Sequence, residues 1–272
     1  MSSSPPRPRN ARAPQSILIT GASSGIGAAL AILYAEPTVV LHLTGRDRSR
    51  LAAVAEQCRA RGATVALAAH DIRDQEAIAA WIAAVDADAP LDLVIANAAI
   101  GGGATLQAEA DQASPEARAI FEVNLLGLLN TVQPILPRLI ARGRGQIALV
   151  SSLSAWRGLP DAPAYSAAKA AVKIYGEALR GQLAPMGVRV SVVLPGVVTT
   201  PMSASLPVRM PFAVSAERAA EIIRSGLARN RGRIAFSRPL AMMFWGLALL
   251  PPSWSDWIVA KLRLHTLPRG QS

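Results

Sequence analysis

The sequence predicts an α/β fold, a doubly wound parallel sheet of about seven strands with helices on both faces. Three observations predict it. Short β-branched or leucine-rich runs alternate with longer Ala-rich stretches, the order that yields right-handed crossovers and a parallel sheet. The strand-like runs are almost wholly apolar, as in Leu91-Asp92-Leu93-Val94-Ile95-Ala96, which suits strands buried on both sides. The chain has 272 residues, 51% of them hydrophobic, enough to fill one large core.

Taken in order, strands are expected at Ser16–Thr20, Val39–Thr44, Thr64–Ala69, Leu91–Ala96, Gln146–Ser151, Arg189–Leu194 and Arg233–Phe236. Helices are expected near Gly25–Ala35, Arg48–Arg61, Gln75–Val85, Glu116–Ala141, Tyr165–Ala184 and Ser215–Arg229. No repeat or linker interrupts Ser16–Phe236. The expected organisation is a disordered basic tail over 1–15, one domain over 16–236, and an apolar, Trp-rich helical extension over 237–272. The tail holds three Ser, four Pro, three Arg and no acid, and its prolines oppose the amphipathic helix of a transit peptide.

Lys and Arg exceed Asp and Glu to give a net charge of +10. The cations are scattered and no basic run is interleaved with aromatics, so nucleic acid is not an expected partner. The single cysteine, Cys58, excludes an internal disulfide and reads as a small buried side chain in a helix. A reducing, cytoplasmic location is the corresponding expectation.

The first strand leads directly into Thr20-Gly21-Ala22-Ser23-Ser24-Gly25-Ile26-Gly27, and a helix follows. Ligands of such sheets bind beyond the carboxyl ends of the strands, and glycines there let the backbone approach a pyrophosphate seated on a helix N-terminus. A tight turn with no ligand would look the same in isolation. The second strand ends Leu43-Thr44-Gly45-Arg46. It offers no carboxylate for ribose hydroxyls but one guanidinium for the extra 2′-phosphate of NADP(H); the alternative is a solvated loop arginine. Asp47 reads as the N-cap of the next helix. At the third strand end, Asp71 and Ile72 can meet an adenine. At the fourth, Asn97 and Ala98 leave room for a ribose.

Tyr165-Ser166-Ala167-Ala168-Lys169 puts a phenol and an ammonium one turn apart on one helix face. A nearby cation favours the phenolate, so Tyr165 is expected to titrate closer to neutrality and serve as general acid or base. An exposed helix face is the competing reading of this pair alone. Ser152, at the end of the preceding strand, can donate to a carbonyl oxygen.

Together these residues resemble the short-chain dehydrogenase/reductase family, in its common single-domain branch, over roughly Ser16 to Phe236. The resemblance rests on the Thr20–Gly27 turn, Asn97-Ala98-Ala99, Asn124, Ser152, Tyr165-x-x-x-Lys169 and Pro195-Gly196-x-x-x-Thr200, in that order. It implies a Rossmann-like fold and an NADP(H)-dependent oxidoreductase interconverting a hydroxyl and a carbonyl. Tyr165 would transfer the proton, with Lys169 lowering its pKa and holding the nicotinamide ribose. Ser152 would orient the substrate oxygen, and Asn124 would help hold a proton-relay water. Pro195, Gly196, Val198 and Thr200 would line the nicotinamide amide and pyrophosphate. There are two departures from the family's pattern. Ala96-Asn97-Ala98-Ala99-Ile100 replaces the first Asn and the Gly of the frequent Asn-Asn-Ala-Gly, which bears on the loop geometry at Ala99 and Ile100. Ser24 stands where many NADP-preferring members carry a basic residue. A nucleotide-sensing or membrane-associated protein with little turnover is the alternative.

The segment after Thr200, through Met202, Leu206, Met210 and Phe212, is apolar and expected to cover a hydrophobic alcohol or ketone. A homo-oligomer is expected, pairing Tyr165–Ala184 and Asn124–Ile140 across a two-fold axis. From Leu240 to Leu250 every residue is apolar, too short a run to span a bilayer. After Pro251-Pro252, Trp254, Trp257, Ile258 and Leu262 fall on one helical face, with Asp256, Lys261 and Arg263 largely elsewhere. Two readings follow for 238–264: packing over the site or a subunit, or peripheral contact with a membrane surface.

Overall fold

The computed structural model describes residues 13–101, 115–204 and 212–266, the last five by their backbone alone. The central sheet has seven strands in the order β3-β2-β1-β4-β5-β6-β9, and every neighbouring pair runs parallel. They are β1 (Ser16–Thr20), β2 (Val40–Thr44), β3 (Thr64–Ala68), β4 (Leu93–Ala96), β5 (Gln146–Val150), β6 (Arg189–Leu194) and β9 (Arg233–Ala235). The order reverses between β1 and β4, so a crevice opens at their carboxyl ends. This is the Rossmann-like doubly wound arrangement.

Alternation along the strands sends side chains to two separate cores. Ile17, Ile19, Leu41, Leu43 and Val193 meet α1 (Gly25–Tyr34), α2 (Arg48–Ala60) and α7 (Ala216–Ala228) on one face. Leu18, Val94, Ile147, Leu149 and Val190 meet α3 (Gln75–Asp88), α4 (Pro115–Arg142) and α5 (Pro163–Leu183) on the other. Cys58 is buried in α2, as its type suggests. Helix α4 is long and apolar enough to cross a membrane by length and composition. Its Val123, Leu128, Val132, Ile135 and Leu139 instead fill the second core.

Helix starts follow local chemistry. The Asp47 carboxylate accepts from the Arg50 N–H, the Asp74 carboxylate from Ala77, and the Ser215 hydroxyl from Arg218. Helix α5 begins two residues before Tyr165, because Pro163 suits a first helical turn. Strand β4 starts at Leu93 and not Leu91: the Asp92 carboxylate turns aside to accept from Gln15 and Ser16 N–H groups. Helix α4 is not uniform, containing a π turn at Glu122–Leu126 and a 3-10 turn at Gln133–Ile135, where Pro134 lacks an N–H.

A short parallel pair, β7 (Val198–Thr199) and β8 (Val214–Ser215), was not expected from the sequence. Two residues per strand are too few for a periodic signal. It brackets α6 (Pro201–Ala204). The described residues end in α8 (Arg238–Leu249) and α9 (Pro252–Thr266). Most of the expected basic tail lies outside the described residues.

Candidate active site

The turn after β1 is built so that no side chain fills it. Gly21 has φ +66° and Gly25 φ +55°, conformations open to glycine at little cost. A Cβ on Gly27 would overlap the Gly21 carbonyl oxygen and the Asn97 amide. Ser24 stands at the N-cap of α1 without a side-chain hydrogen bond, and the first turn holds no acid. The first N–H groups of α1 therefore face an open cradle with the polarity that suits an anion.

Thr20 and Asn97 fasten this turn to the end of β4. The Thr20 hydroxyl accepts from the N–H groups of Asn97 and Ala98, both at 3.1 Å. The Asn97 amide donates to the Thr20 and Gly21 carbonyls at 3.0 and 3.2 Å. These side chains hold the cradle's shape, and the open surface is glycine backbone, Ser23, Ser24 and Ile26. Thr200 closes the turn from the β6 side: a Cβ on Gly25 would stand 3.0 Å from its methyl. Val198 is buried in the small sheet, and Gly196 is held by its N–H donating to the Phe236 carbonyl at 3.2 Å. The Pro195 carbonyl accepts from Leu153 at 2.9 Å, joining this loop to the residue after Ser152.

At the end of β2, Arg46 is exposed, with no ion pair among the described residues. Asp47 is committed to α2, accepting from Ser49, Arg50 N–H and the Arg50 guanidinium, contacts that hold its carboxyl below the usual range. The Asp71 carboxyl is also held low, chiefly by the Arg73 guanidinium that grips both its oxygens, with Arg46 adding to the field. Ile72 packs on Gly127 of α4. Asn130, which belongs to no sequence motif named above, ties this loop down by donating to the Ile72 carbonyl at 3.0 Å.

The chemical groups converge at the ends of β5 and β6. Lys169 is buried, and its ammonium donates to the Val150 carbonyl at 3.0 Å and lies 5.7 Å from the Tyr165 ring centroid. The Ser151 hydroxyl donates to the Lys169 carbonyl at 2.6 Å, pinning α5 to β5. The expected lowering of the Tyr165 pKa by Lys169 is corrected here. Burial pushes the phenol above its ordinary value, and only the hydrogen bond with Ser152 opposes it. Lys169, desolvated in the same place, is itself drawn down to about 8. Desolvation favours the uncharged form of each group, the phenol and the free amine, although the Lys169 ammonium keeps its proton at neutral pH.

The Asn124 amide is wholly buried and pairs with both backbone groups of Ile100, accepting at 2.8 Å and donating at 2.9 Å. Its side chain thus ties α4 to the end of β4, and any water contact would fall to the π turn that carries it. Ser154 and Arg157 were not expected at the site. Ser154 hydrogen-bonds to Ser152, and Arg157 reaches the C-terminal helix α9. Met202 leans over Gly101, whereas Leu206 and Met210 lie outside the described residues. Among the described residues no cluster of His, Cys, Asp or Glu could hold a metal.

The family model described as short chain dehydrogenase matches residues 15–210. An uncharacterised oxidoreductase of Myxococcus xanthus is 35% identical over 247 residues, covering 90% of this chain and 96% of that protein. Among solved structures, a short-chain dehydrogenase from Sphingobium yanoikuyae in complex with NADPH matches with TM-score 0.74 at 26% identity, over 94% of this chain and 98% of its own. A short-chain dehydrogenase from Mycobacterium paratuberculosis bound to NAD matches with TM-score 0.73 at 25% identity, over 84% of this chain and 98% of its own.

Proposed function

Because the chain belongs to the short-chain dehydrogenase/reductase family, we propose that it is an NADP(H)-dependent enzyme interconverting a hydroxyl and a carbonyl on a hydrophobic substrate. The observation that carries this reading is the meeting of Ser152, Tyr165 and Lys169 beside a glycine cradle and an uncapped helix N-terminus. The cradle fits the pyrophosphate of a dinucleotide, since the start of α1 carries neither a side-chain cap nor an acid and the turn before it is built on glycine backbone. The bound nicotinamide supplies or accepts hydride.

The chain's own groups handle the rest. Gly21, Ser23, Ser24, Gly25, Ile26 and Gly27 receive the pyrophosphate, with Thr20 and Asn97 as their braces. Asp71, Ile72 and Ala98 border the adenosine. Pro195, Gly196, Val198 and Thr200 border the nicotinamide end. Tyr165 exchanges the proton at the substrate oxygen, Ser152 donates to the same oxygen, and Lys169 holds the ribose beside the phenol. Asn124 acts by fixing the π turn. Arg46 is the cation for a 2′-phosphate; relatives of this fold carry NADPH or NAD, so this arginine supports the choice. Met202 and Phe212 give the substrate side its apolar character.

The same reading takes 16–236 as the enzyme domain, flanked by the basic tail and the helical extension, in the cytoplasm. It makes the protein a homo-oligomer through α4 and α5, whose Leu126, Ile140 and Ile174 are exposed. Loss of NADPH absorbance with a panel of steroids, retinoids, acyl carbonyls and sugars tests it. Turnover of an apolar ketone is expected. Tight NADPH binding without turnover in either direction on any of them would favour the nucleotide-sensing alternative.

A further inference from the structure

The two C-terminal helices have unlike sides. On the inner side, Leu240, Ala241 and Phe244 of α8 pack on Leu153, Val192 and Leu194, and Leu247 is buried. In α9, Ser255 and Val259 are buried, the Ser255 hydroxyl accepts from Arg157 at 3.0 Å, and Asp256 pairs with the same guanidinium. Both helices are thus fastened to the segment that follows Ser152.

On the outer side, Met242, Trp245, Leu249, Trp254 and Trp257 are each 55–73% exposed. Spacings of three and four place Met242, Trp245 and Leu249 along one stripe of α8, and Trp254, Trp257 and Lys261 along one stripe of α9. The expectation that Lys261 falls away from the tryptophans is corrected: its ammonium lies 4.1 Å from the Trp257 ring centroid. An i, i+4 pair meets across one turn, and the ring face attracts the cation.

The charge of the segment is mostly of one sign in the sequence. Residues 237–272 carry Arg238, Lys261, Arg263 and Arg269 against Asp256 alone. That carboxylate is turned to Arg157, while Arg238 and Lys261 are exposed. A second copy docking through this face about a two-fold axis would set cations against cations, and Asp256, the one acidic side chain of the segment, is already turned to Arg157. An anionic lipid surface answers them, because tryptophan rings settle at headgroup depth and cations meet the phosphates. The helices have 12 and 15 residues, short of the roughly 20 a span requires.

We propose that the outer faces of α8 and α9 dock the protein on an anionic bilayer, lying in its interfacial plane. This interaction surface is independent of the catalytic assignment, and it sets the segment after Ser152 beside the membrane. Purified full chain would be sedimented with vesicles of phosphatidylcholine alone, and of phosphatidylcholine and phosphatidylglycerol in equal parts. It should pellet with the second and remain in solution with the first, and high salt should release it. Trp245→Ser/Trp254→Ser/Trp257→Ser should weaken partitioning about tenfold or more, and so should Arg238→Glu/Lys261→Glu with the tryptophans intact. Unfolding midpoints check that the variants fold; if the triple variant does not, the charge-reversed one decides alone. A full chain that stays in the supernatant, or charge reversal without effect, overturns the proposal. So does a tryptophan variant that binds vesicles normally, or one that turns a dimer into a monomer without lipid and leaves vesicle binding unchanged.

Discussion

The hydroxyl of Ser154 lies 3.0 Å from that of Ser152 and donates to it, while the Ser154 N–H donates to the same oxygen at 3.2 Å. A serine oxygen has two acceptor positions and one hydrogen of its own. With both acceptor positions taken by Ser154, the Ser152 hydrogen is left for the Tyr165 phenol or, in the proposed function, for the substrate oxygen. Ser154→Ala removes one of these bonds. One organised hydrogen bond contributes about 0.5–1.5 kcal/mol, so kcat should fall roughly two- to tenfold. NADPH affinity should hold, and Ser154→Thr should restore most of the rate. An unchanged kcat in Ser154→Ala would reduce the residue to a space filler.

Tyr165→Phe removes the proton donor and keeps the ring. Loss of a positioned general acid or base costs about a hundred- to ten-thousandfold in rate. Turnover should therefore vanish while cofactor binding stays close to that of the parent, as measured by NADPH fluorescence titration. Half the parental rate in this variant would exclude the assigned mechanism.

The role proposed for Lys169 comes at a cost in stability. Its pKa falls from 10.5 to about 8 because burial penalises the charged form. At neutral pH folded and unfolded chains both carry the proton, so the folded state bears the whole penalty, about 3 kcal/mol. From about 8 up to 10.5 the folded lysine is neutral while the unfolded one stays charged, so rising pH relieves the penalty. Lys169→Met removes the charge but strands the Val150 carbonyl, at about 1–3 kcal/mol. The variant should be inactive yet as stable as the parent or slightly more so at neutral pH, and the difference should move in the parent's favour through that window. A gap between the two midpoints that is independent of pH would contradict this.

Gly27 marks the closest approach in the cradle. An alanine there puts its methyl into the Gly21 carbonyl and the Asn97 amide, so the start of α1 must shift. Gly27→Ala should weaken NADPH binding by about an order of magnitude or more, with a smaller fall in the unfolding midpoint. Binding at the parental level would mean that the turn relaxes without consequence.

What the sequence reveals and what it hides divides along range. The seven strands and six helices were legible because apolar runs and Ala-rich periods are local, and so were Asp47 as a cap and Gly21, Gly25 and Gly27 as a turn. The pairing of Asn124 with Ile100, 24 positions away, was not, because it depends on how α4 crosses the end of β4. Arg157 reaches Ser255 across 98 positions, and no local pattern announces such a contact. The pKa direction at Tyr165 was misread from spacing because spacing says nothing of burial. The sign of a shift is set by whichever of desolvation and charge is larger.

Arg46 carries the question of cofactor choice. In relatives that take the unphosphorylated cofactor, a carboxylate near the end of the second strand binds the ribose hydroxyls. Asp47 follows that strand end, and its oxygens are occupied by Ser49 and Arg50. Arg46 is exposed and adds to the field at Asp71, and in the proposed function it is the cation for a 2′-phosphate. A charge-assisted hydrogen bond contributes about 1.5–3 kcal/mol, which corresponds to a preference for NADPH over NADH of roughly ten- to a hundredfold. Exposure puts the value toward the lower end, and added salt should shrink it further. Arg46→Ala should bring the two dissociation constants to within a few-fold of each other by weakening NADPH alone. Asp47→Ala should leave the ratio unchanged while loosening the start of α2, by about 1 kcal/mol in unfolding free energy. Titration of both cofactors into the three proteins decides between these outcomes. Equal binding of NADPH and NADH by the parent, or a ratio that moves with Asp47 and not with Arg46, would transfer the selection to another residue.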